Sequence, residues 1–178
     1  DTSKARDCDL PDGVLSDDLA VITGSDEIRV VAQLIGGLEP ARSIMLQLLE
    51  SGKDVVTANK ALLAEHGLEL FQLAVENSVS LNFEASTAGG IPIIKTLQES
   101  FAANRIQSLY GIINGTCNYI LSRMHESAID FEVVLKEAQA KGYAESDPTL
   151  HIEGIDTAQK LILLIALAHG VNIPPEQV

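Results

Sequence analysis

The feature that most constrains the fold is a strand, helix, strand rhythm early in the chain. Ile28–Ile35 (IRVVAQLI) is rich in β-branched residues and is closed by Gly36-Gly37, as a buried strand should be, and Lys53–Thr57 (KDVVT) is a second such run. Between them Glu39-Pro40 opens a segment in which Ile44, Leu48 and Leu49 share one helical face until Gly52 stops it. Strand, helix and strand with short Gly-containing connections form a βαβ unit, which implies a parallel sheet with right-handed crossovers. The first third therefore reads as part of a doubly wound α/β domain.

The chain continues with Lys60–Glu65 as a helical piece and Gly67–Asn77 as another, carrying Leu68, Phe71, Leu73 and Val75 around one face, before a strand at Ser80–Phe83. There the pattern changes. A Gly89-Gly90 turn and Pro92 start a helix to about Ala103, Arg105–Ile113 alternates as a strand, Thr116–Met124 and Phe131–Lys141 read as helices, and a last helix runs from about Glu153 to His169. The domain change falls near Leu81–Ala88, which divides the chain into 1–83 and 84–178.

Composition excludes several function classes. At 178 residues and 46% hydrophobic content the chain can fill a core, while its net charge of −13 repels a nucleic-acid backbone or an anionic membrane surface. The longest apolar run, Leu161–Ala168, falls well short of the roughly 20 residues a membrane helix needs. The opening DTSKARDCDLPDG has no apolar stretch of a signal peptide, and Cys8 and Cys117 have no CxxC spacing, so a reducing cytoplasm is expected. Residues 1–18 read as an acidic loop, and a start at Asp1 with an end just after a Pro-Pro pair raises the expectation that both ends are cut.

Four stretches carry candidate chemistry. The 13 glycines include no two at GxG spacing, so the dinucleotide fingerprint is missing; either this is no nucleotide domain or the chain begins after that turn, and the loop-first start favours the second. VVTANKALL (Val55–Leu63) puts Thr57, Asn59 and Lys60 at the C-terminal end of a parallel strand, where open α/β folds bind ligands, although Asn59-Lys60 also reads as a solvated loop and helix start. In EASTAGGIP (Glu84–Pro92) a carboxylate is followed by small residues that leave carbonyls uncovered, a set of oxygens suited to a hard cation; the competing reading is a tight turn that caps the next helix. In Gly142–Lys160 carboxylates, His151 and Lys160 precede a nearly all-apolar helix.

Asp156 and Lys160 lie at i and i+4 on one face of that helix. Such a pair is either a surface ion pair or, because a Lys entering a buried helix must be paired or functional, a proton-transfer lysine with Asp156 orienting it. His66, His125, His151 and His169 show no paired-ligand spacing, and Cys117 within NGTCNY reads as a small buried hydrophobe.

IGGLEPA (Ile35–Ala41), VVTANKALL, EASTAGGIPII (Glu84–Ile94), GIINGTCNYIL (Gly111–Leu121), GYAESDPT (Gly142–Thr149) and EGIDTAQKL (Glu153–Leu161) together resemble homoserine dehydrogenase, in order and at similar spacing, over nearly the whole chain. The resemblance implies a partial Rossmann-like doubly wound domain over 1–83, followed over 84–178 by an incomplete α+β catalytic domain with helices packed on a mixed sheet. It implies reversible NAD(P)-dependent reduction of aspartate 4-semialdehyde to homoserine, on the route to threonine and methionine, by a cytoplasmic homodimer.

Position by position, the resemblance implies Lys160 as proton donor and Asp156 as its partner, and Glu145 as the acid that holds the substrate's amino group. It implies Lys60, with Thr57 beside it, where nicotinamide meets substrate, and Gly142 as a backbone position near the cofactor. Glu84 with the backbone oxygens of Thr87, Gly89 and Ile91 corresponds to a structural sodium site. These roles agree with chemistry: a zwitterionic substrate needs a carboxylate for its ammonium and donors for its carboxylate, and reduction of an aldehyde needs a proton for the developing alkoxide. Two departures stand out. His151 occupies a position where the family usually carries Asp, and the Gly-rich cofactor turn and returning strands of the family lie outside Asp1–Val178. The alternative reading is a catalytically silent fragment that mainly dimerises through open sheet edges.

Overall fold

The β-branched runs pair as the crossover requires. The computed structural model describes residues 10–11, 13–145 and 147–178, and the chain divides into two compact units, Asp1–Phe83 and Glu84–Val178. Of the loop expected over 1–18, residues 10, 11 and 13–18 carry neither helix nor strand; the remainder, with Cys8, lies outside the described residues.

In the first unit a single turn, α1 (Ala20–Thr23), precedes β1 (Val30–Gln33). Next come α2 (Ala41–Glu50), β2 (Asp54–Thr57), α3 (Lys60–Glu76) and β3 (Leu81–Asn82). The strands are parallel in the order β1-β2-β3, with Val31 opposite Val55 and Gln33 opposite Thr57. Right-handed crossovers stepping the same way put both helices on one face, and α2 and α3 do pack together. Burial along the strands follows: Gln33, Val55 and Thr57 are enclosed, while Val30 and Val56 are exposed. The run expected to be a buried strand is thus covered on one face among the described residues.

Met45, Leu48 and Leu49 of α2, Leu62, Leu70 and Ala74 of α3, Val55 and Phe83 form the core of this unit. Gly67 does not separate two helices as its sequence position implied. It lies inside the continuous α3, where a Cβ would meet the Phe71 ring at 3.3 Å, so glycine makes room for an aromatic side chain that stacks tilted on Phe83 at 5.2 Å.

Among its described residues the second unit carries helices joined by turns and irregular segments, and no strand. A tight 3₁₀ turn (Glu84–Ser86) leads to α4 (Ile93–Lys95), which passes into a wider π-type turn at Thr96–Ser100. There follow α5 (Gly115–Ser127), α6 (Phe131–Ala140), the short α7 (Thr149–Ile152) and α8 (Ile155–His169). The helix expected from Pro92 to Ala103 therefore ends early. The strand expected at Arg105–Ile113 is not formed, nor is the mixed sheet expected under the helices, among the described residues. A strand exists only through a ladder partner, and the segment leaves Tyr110 93% and Ile112 78% exposed.

The α5–α6 hairpin packs Ile120, Val134, Ala138 and Ala144 together and is clasped by polar contacts. The Tyr119 hydroxyl donates to Glu137 Oε1 at 2.7 Å, and Lys141 Nζ donates to the same oxygen at 2.7 Å and to the Tyr119 oxygen at 2.9 Å. These bonds, Lys141 first, hold the Glu137 carboxyl down to about 2. No helix among the described residues is long and apolar enough to cross a membrane.

Candidate active site

The start of α8 brings two of the expected residues together. Gly154, at φ +79°, admits the left-handed turn from which α8 begins, and one turn inside it Lys160 Nζ donates to Asp156 Oδ2 at 2.7 Å. Asp156 is 4% exposed and the Lys160 side chain 18%, so this is no surface ion pair. Lys160 also donates to the carbonyl of Ile113 at 2.8 Å, and Asn114 Nδ2 approaches the same Asp156 oxygen at 3.2 Å. A cavity of about 540 Å³ opens here, lined in part by Asn114, Thr116, Tyr143, His151, Asp156 and Lys160.

His151, the departure from the family pattern, reaches this cluster from α7. Its Nδ1 lies 3.2 Å from Asn114 Nδ2 and 3.8 Å from Asp156 Oδ2. Cys117 is only partly buried; its thiol donates to the His151 carbonyl at 3.1 Å, and burial together with the Asp156 charge pushes the thiol up, away from nucleophile behaviour. Asn114 carries little signal in the sequence. The only local signal was its place ahead of a helix, which reads as a cap.

Gly142 and Glu145 flank Tyr143 on the segment leaving α6. Gly142, at φ +74°, follows the last helical residues and lets the Tyr143 amide reach back to the Ala138 carbonyl at 2.8 Å, while Glu145 is exposed and its carbonyl accepts from Gln139 at 3.1 Å. The turn bearing Glu84, Thr87, Gly89 and Ile91 is built differently from an open ring of oxygens. Glu84 Oε1 and Oε2 accept from the Ile94 and Lys95 amides at 2.9 and 2.8 Å, and the Ile91 carbonyl accepts from Ile93 at 2.8 Å. The carboxylate thus takes up two backbone amides at the start of α4. One polar atom remains over, since Thr87 Oγ1 is buried without a hydrogen-bond partner among the described residues.

In the first unit, Thr57 and Lys60 sit at the C-terminal edge of the sheet. The Thr57 hydroxyl donates to Gln33 Oε1 at 2.9 Å and accepts from the Asn59 amide at 3.1 Å. Asn59 is no solvated loop residue: at 8% exposure it caps α3 through Leu62 N–H at 3.1 Å and donates from Nδ2 to the carbonyls of Ile35 at 2.9 Å and Gly37 at 2.7 Å. This network ties the loop after β1 to the turn after β2 and fixes the backbone from which Lys60 projects.

Chemically, a lysine held by a buried carboxylate at the wall of a cavity can carry a proton to and from an oxygen of a bound substrate. Comparisons with known proteins accord with that chemistry. The family model described as homoserine dehydrogenase matches residues 92–178, and the model described as homoserine dehydrogenase, NAD binding domain, matches residues 1–84. A homoserine dehydrogenase of a Synechocystis species is 47% identical over 98% of this chain and 40% of its own length. The crystal structure of a homoserine dehydrogenase from Thiobacillus denitrificans superposes with a TM-score of 0.86 at 52% identity, over 90% of this chain and 37% of that one. A hyperthermophilic archaeal homoserine dehydrogenase in complex with NADPH superposes at 0.79 with 28% identity, over 87% of this chain and 48% of that one. The chain thus spans about two fifths of the length of the relatives it matches in sequence.

Proposed function

The chain belongs to the homoserine dehydrogenase family, and we propose that it supplies the proton-transfer and substrate-binding parts of an enzyme interconverting L-homoserine and L-aspartate 4-semialdehyde. The observation that carries this reading is the buried Lys160–Asp156 pair at the wall of a cavity. A nicotinamide cofactor is supported by the NAD-binding family match and by the NADPH-bound relative; when bound, it supplies the hydride. The residues present suit it, because Thr57 and Lys60 lie at the sheet edge where open α/β domains take such ligands.

Lys160 gives a proton to the oxygen that becomes the hydroxyl and takes it back in the oxidation, while Asp156 keeps the ammonium oriented. Glu145 pairs with the substrate ammonium, Lys60 serves substrate and cofactor, and the Gly142 backbone borders the cofactor. Glu84 with the carbonyls of Thr87, Gly89 and Ile91 holds a structural sodium ion, and the buried Thr87 hydroxyl, without a hydrogen-bond partner among the described residues, supports a ligand at that turn. We read the protein as a cytoplasmic homodimer, and the exposed Tyr110 and Ile112 support the association part of that reading.

The deciding experiment follows NADPH oxidation with aspartate 4-semialdehyde by the intact protein and by its Lys160→Ala variant. Turnover that depends on Lys160 is expected. Absence of turnover in the unaltered protein would sink the reading, and a dimer without turnover would favour the silent fragment.

A further inference from the structure

The proton-transfer pair is gripped from one dipeptide. The Ile113 carbonyl accepts from Lys160 Nζ at 2.8 Å, and the next residue, Asn114, donates to Asp156 Oδ2 at 3.2 Å. Asn114 is 5% exposed and stands at the N-cap of α5, where its Oδ1 accepts the Cys117 amide at 2.8 Å. That bond locks the amide. With Oδ1 committed to the helix, Nδ2 has to face Asp156 and His151, and a flip would set an oxygen against a carboxylate while stranding the Cys117 N–H.

A locked donor also fixes its other neighbour. Nδ2 lies 3.2 Å from His151 Nδ1, so that ring nitrogen accepts and the imidazole proton sits on Nε2. A proton on Nδ1 would meet the Asn114 N–H and turn toward Asp156 Oδ2, 3.8 Å away, in competition with Lys160. Among the described residues the titratable groups around this point are Cys117 and Tyr119 from α5, Tyr143 after α6, His151 from α7, and Asp156 and Lys160 from α8.

We propose that Asn114 is a positioning residue for the Lys160–Asp156 pair. Its capping bond to α5 aims the amide, and the aimed amide holds the carboxylate that orients the ammonium. The inference rests on the reading of Lys160 as proton carrier, and it adds a residue on another helix as the source of that orientation.

The test uses the intact protein and separates capping from positioning. Asn114→Ser keeps an oxygen for the Cys117 amide and removes the Nδ2 amide donor that faces Asp156 and His151. Its kcat for semialdehyde reduction is expected to fall about tenfold or more, as loss of a hydrogen bond to a charged group implies, with KM and Tm nearly unchanged. Asn114→Asp keeps the cap and replaces the donor by a carboxylate facing Asp156 Oδ2, so its kcat is expected to fall at least as far. A kcat for Asn114→Ser close to that of the unaltered protein overturns the proposal, as does a loss that merely tracks a lowered Tm. The ¹⁵N shifts of His151 read the lock without any turnover: Nδ1 bare in the unaltered protein and partly protonated in Asn114→Ser supports it, and identical tautomers in both overturn it. An inactive unaltered protein would sink the dehydrogenase reading alone and leave the tautomer comparison to decide this one.

Discussion

Lys160 Nζ lies 2.7 Å from an oxygen of Asp156 that is almost wholly enclosed, although the two residues are only one helical turn apart. On a solvated helix the same spacing contributes about 0.3–0.5 kcal/mol and holds neither side chain still. Here burial makes each group depend on the other, because an unpaired buried charge is costly. Replacing Lys160 by Ala is expected to lower kcat by more than about 100-fold, the usual scale of a general acid, with the helical CD spectrum retained. A loss under about tenfold would leave the pair a purely structural feature.

Asn59 offers a test of the sheet edge. Asn59→Asp keeps a good capping oxygen for Leu62 N–H but loses both Nδ2 bonds and turns a carboxylate toward the carbonyls of Ile35 and Gly37. Two acceptors left without donors imply a cost of about 2 kcal/mol, read as a shift in the urea midpoint. If Asn59→Asp unfolds at the same urea concentration as the unaltered protein, the clamp between the two loops adds nothing to stability.

The clasp between α5 and α6 predicts an acid limit. Glu137 is held down to about 2 in the folded protein, first by Lys141 and then by Tyr119, against an ordinary value of 4.5. A lowered folded value means stability present above pH 4.5 and lost as pH falls toward about 2, since the unfolded state binds the proton first. Tm measured against pH should therefore fall more steeply across that window than in Glu137→Gln. Parallel curves for the two proteins would remove the clasp from the account of acid stability.

The turn at Glu84 separates a cap from an ion site. With a sodium ion bound to the folded form alone, Tm is expected to be higher in sodium chloride than in choline chloride of equal ionic strength, and the difference is expected to vanish in Glu84→Gln. If Glu84→Gln lowers Tm equally in both salts, the carboxylate acts only on the amides of Ile94 and Lys95.

Local patterns made much of this protein legible. The parallel strands, the spans of α2, α5 and α6, and the facing of Asp156 and Lys160 follow from hydrophobic period, from glycine and proline punctuation and from i, i+4 spacing, all of which act within a few residues. Motif order over the chain carried the family. Tertiary structure alone decided what those motifs meet. It put Asn114 against Asp156 across 42 positions and Asn59 against Gly37 across 22, contacts that leave no periodic trace because each is one hydrogen bond between distant residues. It made Gly67 a seat for Phe71 inside α3, where the sequence alone marked a break. It also left the alternating run at 105–113 outside any ladder, because alternation supplies a strand's faces but a partner supplies its hydrogen bonds.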